Sequence, residues 1–177
     1  IGNSIPVRAV DMLGSGKGAD IPIALNRGAS GIDGLIASAC GYSCGLHRPV
    51  TLLIGDLSAL HDLNSFKLLA DSPEPILLVL LNNHGGGVFS LLPIVRQTEI
   101  FEPFFGTPHH FDFRSVAEMF GLNYFRPNSI NDFVKFYTKA VQEKKSAVIE
   151  IFTERTKNPQ QLESLRQKLM KCAFESS

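Results

Sequence analysis

Apolar positions along the chain fall into two alternating rhythms. Short continuous runs, "DIPIAL" (20–25), "PVTLLI" (49–54), "PILLVLL" (75–81) and "SAVIEIF" (146–152), read as strands, with "LNYF" (122–125) as a shorter one. Several are apolar on both faces, the pattern of strands covered by helices on both sides. Between them the spacing turns helical. "SGIDGLIASACGYSCGL" (30–46) is rich in small residues, and "SALHDLNSFKLLADS" (58–72) sets Leu60, Leu63 and Leu68 near one face. "FDFRSVAEMFG" (111–121) offers Asp112 as N-cap and Gly121 as stop, and "SINDFVKFYTKAVQEK" opens with Ser129 and Asp132 at capping-box spacing. A last helix is predicted in the tail 154–177, with Asn158 as N-cap and Pro159 at its first position.

Strand–helix–strand alternation predicts an α/β fold, a three-layer open parallel sheet with helices on both faces. The stretch "LLPIVRQTEIFEPFFGTPHH" (91–110) has no clear period and holds three prolines, so it reads as a long irregular connection, a kind that often carries function. A length of 177 residues suits one domain over 1–177, and the abrupt opening "IGNS" suggests a piece cut from a longer polypeptide.

Composition narrows the function classes. Lys+Arg and Asp+Glu balance at 17 each, which leaves no electrostatic footprint for nucleic acid or for an anionic membrane surface. No apolar run reaches the roughly 18 residues that a membrane span needs. Cys40, Cys44 and Cys172 lack a framework spacing and read as small apolar residues in a reducing compartment. "LGSGKGA" (13–19) fails as a phosphate loop, because Gly18 stands where Ser or Thr should follow Lys17.

In an open parallel sheet, ligands bind beyond the carboxyl ends of the strands. Those ends deliver Asn26, Arg27 and Gly28; Gly55, Asp56 and Ser58; and Asn82, Asn83 and Gly85, while Asn3 and Ser4 open the chain. A carboxylate, an amide oxygen and a glycine carbonyl suit Mg2+, which takes oxygen ligands and shares them with phosphates. Ser58, at the start of the following helix, suits an anion. His109 and His110 suggest a metal less strongly, since no third ligand is evident beside them.

The residues "GDLS" (55–58) followed by Asn83 resemble the Gly-Asp…Asn signature of thiamine-diphosphate-dependent enzymes. "NRGASGIDG" (26–34), "GDLSALHDLN" (55–64) and "NNHGGGVFSLLP" (82–93) look specifically like the SEPHCHC synthases of menaquinone and phylloquinone biosynthesis, the MenD family. The similarity runs from Gly2 to about Phe152. It implies thiamine diphosphate with Mg2+ (or Mn2+) as cofactors, the metal held by Asp56, Asn83 and the Gly85 carbonyl. It further implies Ser4 and Ser58 at the diphosphate, Ile32 as the apolar wedge beneath the cofactor, and Val88, Phe89 and Leu92 as an apolar wall. Arg8 and Arg27 match the substrate-side arginines of the family.

The reaction implied is decarboxylation of 2-oxoglutarate and addition of the resulting succinyl-semialdehyde carbanion equivalent to isochorismate. The glutamate that activates the cofactor belongs to a separate pyrimidine-binding domain, of the same or a partner subunit. Glu74, Glu99 and Glu102 are not assigned to that role, so no catalytic residue is assigned here and the isolated chain is expected to be inactive. A homodimer or homotetramer is implied, in the cytoplasm of a bacterium or the plastid of a plant or alga. Two other readings stand: another thiamine-diphosphate-dependent 2-oxo acid enzyme, or a non-catalytic remnant serving as an interaction domain.

Overall fold

In the computed structural model, the structure describes residues 1–14, 20–26 and 31–175, the side chains of 159 and 172–175 excepted. Four strands form one fully parallel sheet: β1 (Val50–Gly55), β2 (Ile76–Asn82), β3 (Asn123–Phe125) and β4 (Ala147–Phe152), in the order β1-β2-β4-β3. The continuous apolar run of β2 follows from its central place. Ile76, Leu78 and Leu80 face one helical layer, while Leu77 faces the other. Each such fully buried aliphatic side chain contributes roughly 1.5–3 kcal/mol.

The larger layer is built from α2 (Leu35–Leu46) and α4 (Phe66–Asp71), with Ile36, Ile54, Phe66 and Leu69 in its core. Phe66 stacks on Phe113, whose ring comes from the segment leading into α6 (Arg114–Met119). The smaller layer packs α7 (Ile130–Glu143) on β2 and β4 through Ala140, Ala147 and Tyr137. α1 (Ile5–Leu13) and α8 (Asn158–Glu175) stand at either end of the chain. Among the described residues, no helix is long and apolar enough to cross a membrane.

Local chemistry explains the helix boundaries. The Ser129 hydroxyl accepts the Asp132 N–H at 3.1 Å, as its spacing predicts, while the Asp132 carboxylate takes the Asn128 N–H instead of closing the box on Ser129. α2 begins after Gly34, in the left-handed region at φ 68°, and it is the buried Asp62 that accepts the Ile36 N–H at 2.7 Å. Burial beside the Asp62 carboxylate pushes the Cys40 thiol up to about 11. Such a thiol is inert at neutral pH, in keeping with a packing role.

Three expectations change. Residues 20–26 join no ladder: the Ile1 amino group donates to Ala24 O, the Asn3 amide to Asn26 O, and Ile21 and Ile23 stay exposed. The single helix expected over 58–72 is broken into α3 (Asp56–Leu60) and α4, because Asp62 turns aside to cap α2 and binds Ser65 Oγ. Phe113, not Asp112, is the N-cap residue of α6; Asp112 instead accepts the Arg114 N–H in a local turn.

Candidate functional site

The parallel register sets Gly55 opposite Leu81, so Asp56 and Asn82 emerge side by side from the carboxyl edge of the sheet. Asp56 is buried, with three donors on its carboxylate. Oδ1 accepts the Leu57 N–H at 2.9 Å, and Oδ2 accepts the Gly85 N–H at 2.9 Å and contacts His109 Nε2 at 3.1 Å. An ionised carboxylate has about four acceptor positions, so one remains for an incoming cation.

The turn after β2 divides its two amides. Asn82, completely buried, donates from Nδ2 to Phe111 O at 3.0 Å and to Glu150 Oε1 at 2.6 Å, and its Oδ1 accepts the His84 N–H at 3.0 Å. Asn83 Oδ1 is buried and has no donor. Buried amide oxygens are almost always matched, and an unmatched one costs on the order of 1–3 kcal/mol. In a turn that holds a buried carboxylate through the Gly85 N–H, it is the kind of hard oxygen donor that Mg2+ or Mn2+ completes.

The glycines beyond it make room for backbone. His84 is left-handed at φ 60° and Gly85 has φ 145°, a conformation that disfavours any side chain. A Cβ on Gly85 or Gly86 would collide with the carbonyl oxygens of Gly106 and Phe105, respectively. Gly86 N–H donates to Gly106 O at 2.7 Å, and His109 N–H to His84 O at 3.3 Å. The 91–110 connection, which folds as short helical turns including α5 (Thr98–Phe101), therefore docks onto the glycine run and lowers His109 onto Asp56. Glu102 closes the dock by an ion pair with the largely buried Arg155 at 2.6 Å.

Beneath lies a network that the strand pattern concealed. Glu150 of β4 is wholly buried and accepts from Asn82 Nδ2, from Phe113 N–H at 3.1 Å and from Tyr124 OH at 2.6 Å. Burial and that carboxylate hold the Tyr124 phenol protonated well above its ordinary range. A carboxylate inside "SAVIEIF" was the available signal, since a buried charge requires donors.

The structure thus brings together Asp56, the Asn83 turn, Gly85 and, unforeseen in this role, His109. Gly85 reaches Asp56 through its N–H, while its carbonyl accepts from Gly87 N–H at 3.0 Å. Ser58 is buried inside α3, which begins at Asp56 and not at the serine. Ser4 precedes α1 at φ 72°, and Arg8 is exposed, folding back onto Ser4 O at 2.9 Å. Ile32 and Val88 are half-buried; Phe89 and Leu92 are exposed. Arg27 lies outside the described residues. His110 is exposed, and no group of three or more His, Cys, Asp or Glu side chains suited to a metal occurs among the described residues. An apolar cavity of about 560 Å³, lined in part by Ile21, Ala39, Tyr42 and Leu52, includes none of Asp56, Asn83, Gly85 or His109.

Comparison with known proteins follows the same lines. Residues 24–151 match the family described as thiamine pyrophosphate enzyme, C-terminal TPP binding domain. The 2-succinyl-5-enolpyruvyl-6-hydroxy-3-cyclohexene-1-carboxylate synthase of Chlorobium chlorochromatii is 45% identical over 98% of this chain and 30% of its own length. That of Rubrobacter xylanophilus is 49% identical over 88% of this chain and 27% of its own. The chain spans under a third of the length of these curated relatives. Among solved structures, the thiamine diphosphate-dependent 4-hydroxybenzoylformate decarboxylase of Rhodococcus jostii superposes with a TM-score of 0.57, at 25% identity, over 66% of this chain and 22% of that one.

Proposed function

This chain belongs to the thiamine pyrophosphate enzymes, as their C-terminal cofactor-binding domain, and we propose from that premise that it is the Mg2+–diphosphate-binding part of a SEPHCHC synthase. The observation that carries the metal assignment is the buried, donorless Asn83 Oδ1 in the same turn whose Gly85 N–H holds the buried Asp56 carboxylate. Asp56 and Asn83 supply two of the metal's oxygens and the Gly85 backbone a third. Ser4 and Ser58 stand for diphosphate contacts, Ile32 for the wedge beneath the cofactor. Bound there, thiamine diphosphate supplies the nucleophilic carbon for a 2-oxo acid decarboxylation.

The chain's own residues position and charge-balance that group. The metal's two positive charges, held at a buried carboxylate, offset the diphosphate's negative ones. Val88, Phe89 and Leu92 offer an apolar wall, which excludes competing water once the rest of the enzyme covers it. Arg8 and Arg27 are assigned to substrate carboxylates, because guanidinium binds carboxylate bidentately. The proposed substrates are 2-oxoglutarate and isochorismate, and the proposed partner is a pyrimidine-binding domain that brings the activating glutamate, in a homodimer or homotetramer.

The test uses the full-length protein with thiamine diphosphate and Mg2+, following isochorismate with and without 2-oxoglutarate. Consumption that depends on both 2-oxoglutarate and cofactor is the expected result. Cofactor binding without that reaction would point to a different 2-oxo acid enzyme, and absence of both to a non-catalytic domain; either would overturn the assignment.

A further inference from the structure

We propose that His109 is a positioning residue for the metal site, a neutral imidazole that fixes the Asp56 carboxylate from a segment far away in sequence. This rests on the proposal that Asp56 and Asn83 hold the metal. Two hydrogen bonds define the imidazole. The Phe111 N–H donates to His109 Nδ1 at 3.3 Å, so Nδ1 is the acceptor nitrogen. Nε2 then carries the proton and donates it to Asp56 Oδ2 at 3.1 Å. The tautomer is thereby set by backbone, and the ring cannot present Nε2 as a lone pair toward a cation.

The ring is also fixed in orientation. It stacks on Phe111 at 5.5 Å between centroids and meets the edge of His84 at 5.6 Å. Only 7% of the His109 side chain and 4% of the Asp56 side chain remain accessible. The Gly85 N–H and the His109 Nε2–H converge on the same oxygen, one from the glycine run and one from the connection docked on it. With Oδ2 doubly held and Oδ1 tied to the Leu57 N–H, the carboxylate plane is set before any metal arrives. Preset ligands bind more tightly, and losing an outer partner of a ligating carboxylate costs typically 10–100-fold in metal affinity.

The Asn82–Glu150 network extends the same support. Asn82 Nδ2 holds Phe111 O, so the residue whose N–H sets the histidine tautomer is itself anchored to the floor of the sheet.

The experiment titrates Mn2+ into the full-length protein in the presence of thiamine diphosphate, reading bound metal by EPR. Wild type, His109→Ala, His109→Met and His109→Gln are compared, with Asp56→Ala as the reference for loss of the site. Expected is a tenfold or greater loss of Mn2+ affinity in H109A and partial recovery in H109Q, whose amide retains an N–H to direct at Asp56. H109M, apolar and similar in volume, carries the same expectation should H109A fail to fold. Mn2+ affinity within twofold of wild type in a folded H109A or H109M would overturn the positioning role while leaving the Asp56 site intact. No Mn2+ binding by wild type would overturn the metal site and this inference together.

Discussion

Asn82 and Asn83 are neighbours of identical chemistry at the end of one strand, yet they serve opposite regions of the molecule. Asn82 points into the floor, where each of its amide atoms has a protein partner. Asn83, in the turn whose Gly85 N–H binds Asp56, keeps a buried oxygen that no protein donor meets. The contrast teaches how to separate architecture from site without a ligand in view: polar groups used up by the protein hold its shape, and a buried group left over is available to something else.

The largest effect is expected at the corner where the Asn83 turn meets Asp56. In the full-length protein, Asp56→Ala should weaken Mn2+ binding with thiamine diphosphate by more than about a hundredfold, beyond what an outer-shell change produces. Metal titration checks this, and near-normal binding would remove the corner from the site.

Glu150 is the corresponding test of the floor. Glu150→Leu leaves the Phe113 N–H and the Tyr124 hydroxyl without their acceptor and removes one of the two acceptors of Asn82 Nδ2. At roughly 1–3 kcal/mol for each, it should lose about 3 kcal/mol or more in urea unfolding. A loss below about 1 kcal/mol would mean that the floor relaxes or takes in water.

The two amides themselves make the sharpest pair. Asn82→Ala should destabilise the metal-free protein by about 2–4 kcal/mol, since three partners are stranded. Asn83→Ala should change metal-free stability by less than about 1 kcal/mol, because it removes an oxygen already unmatched. Metal affinity should show the reverse order of sensitivity, N83A below N82A. Equal behaviour of the two in both assays would erase the distinction.

The smallest effect is a pH dependence. Burial and Glu150 raise the Tyr124 phenol, so the fold favours its protonated form. That contribution is complete below about pH 10, the ordinary phenol value, and is lost as pH rises through the folded value. Alkaline melting curves of Tyr124→Phe should fall less steeply above pH 10 than those of wild type, after a loss of about 1 kcal/mol at neutral pH.

The corner was legible in sequence because its parts are local. An apolar run ending in Gly55-Asp56 and another ending in Asn82-Asn83 identify two strand ends, and parallel topology places strand ends together. His109 could not be read as a partner of Asp56, since 53 positions separate them and the contact depends on how the irregular connection folds back. Glu150 was hidden by its own strand, where it continues the alternation of Val148 on the core face. The 20–25 run misled for a related reason. Its apolar character is genuine, but pairing requires a free strand edge, and the first residues of the chain take up the carbonyls of Ala24 and of Asn26 just beyond the run.

The Gly86 N–H to Gly106 O contact belongs to the dock that brings His109 to Asp56. If the docked connection tightens metal, linkage requires metal to tighten the docked connection by the same factor. The exchange rate of a single backbone proton, the Gly86 amide, then becomes a remote gauge of occupancy at Asp56, slowing as the site fills.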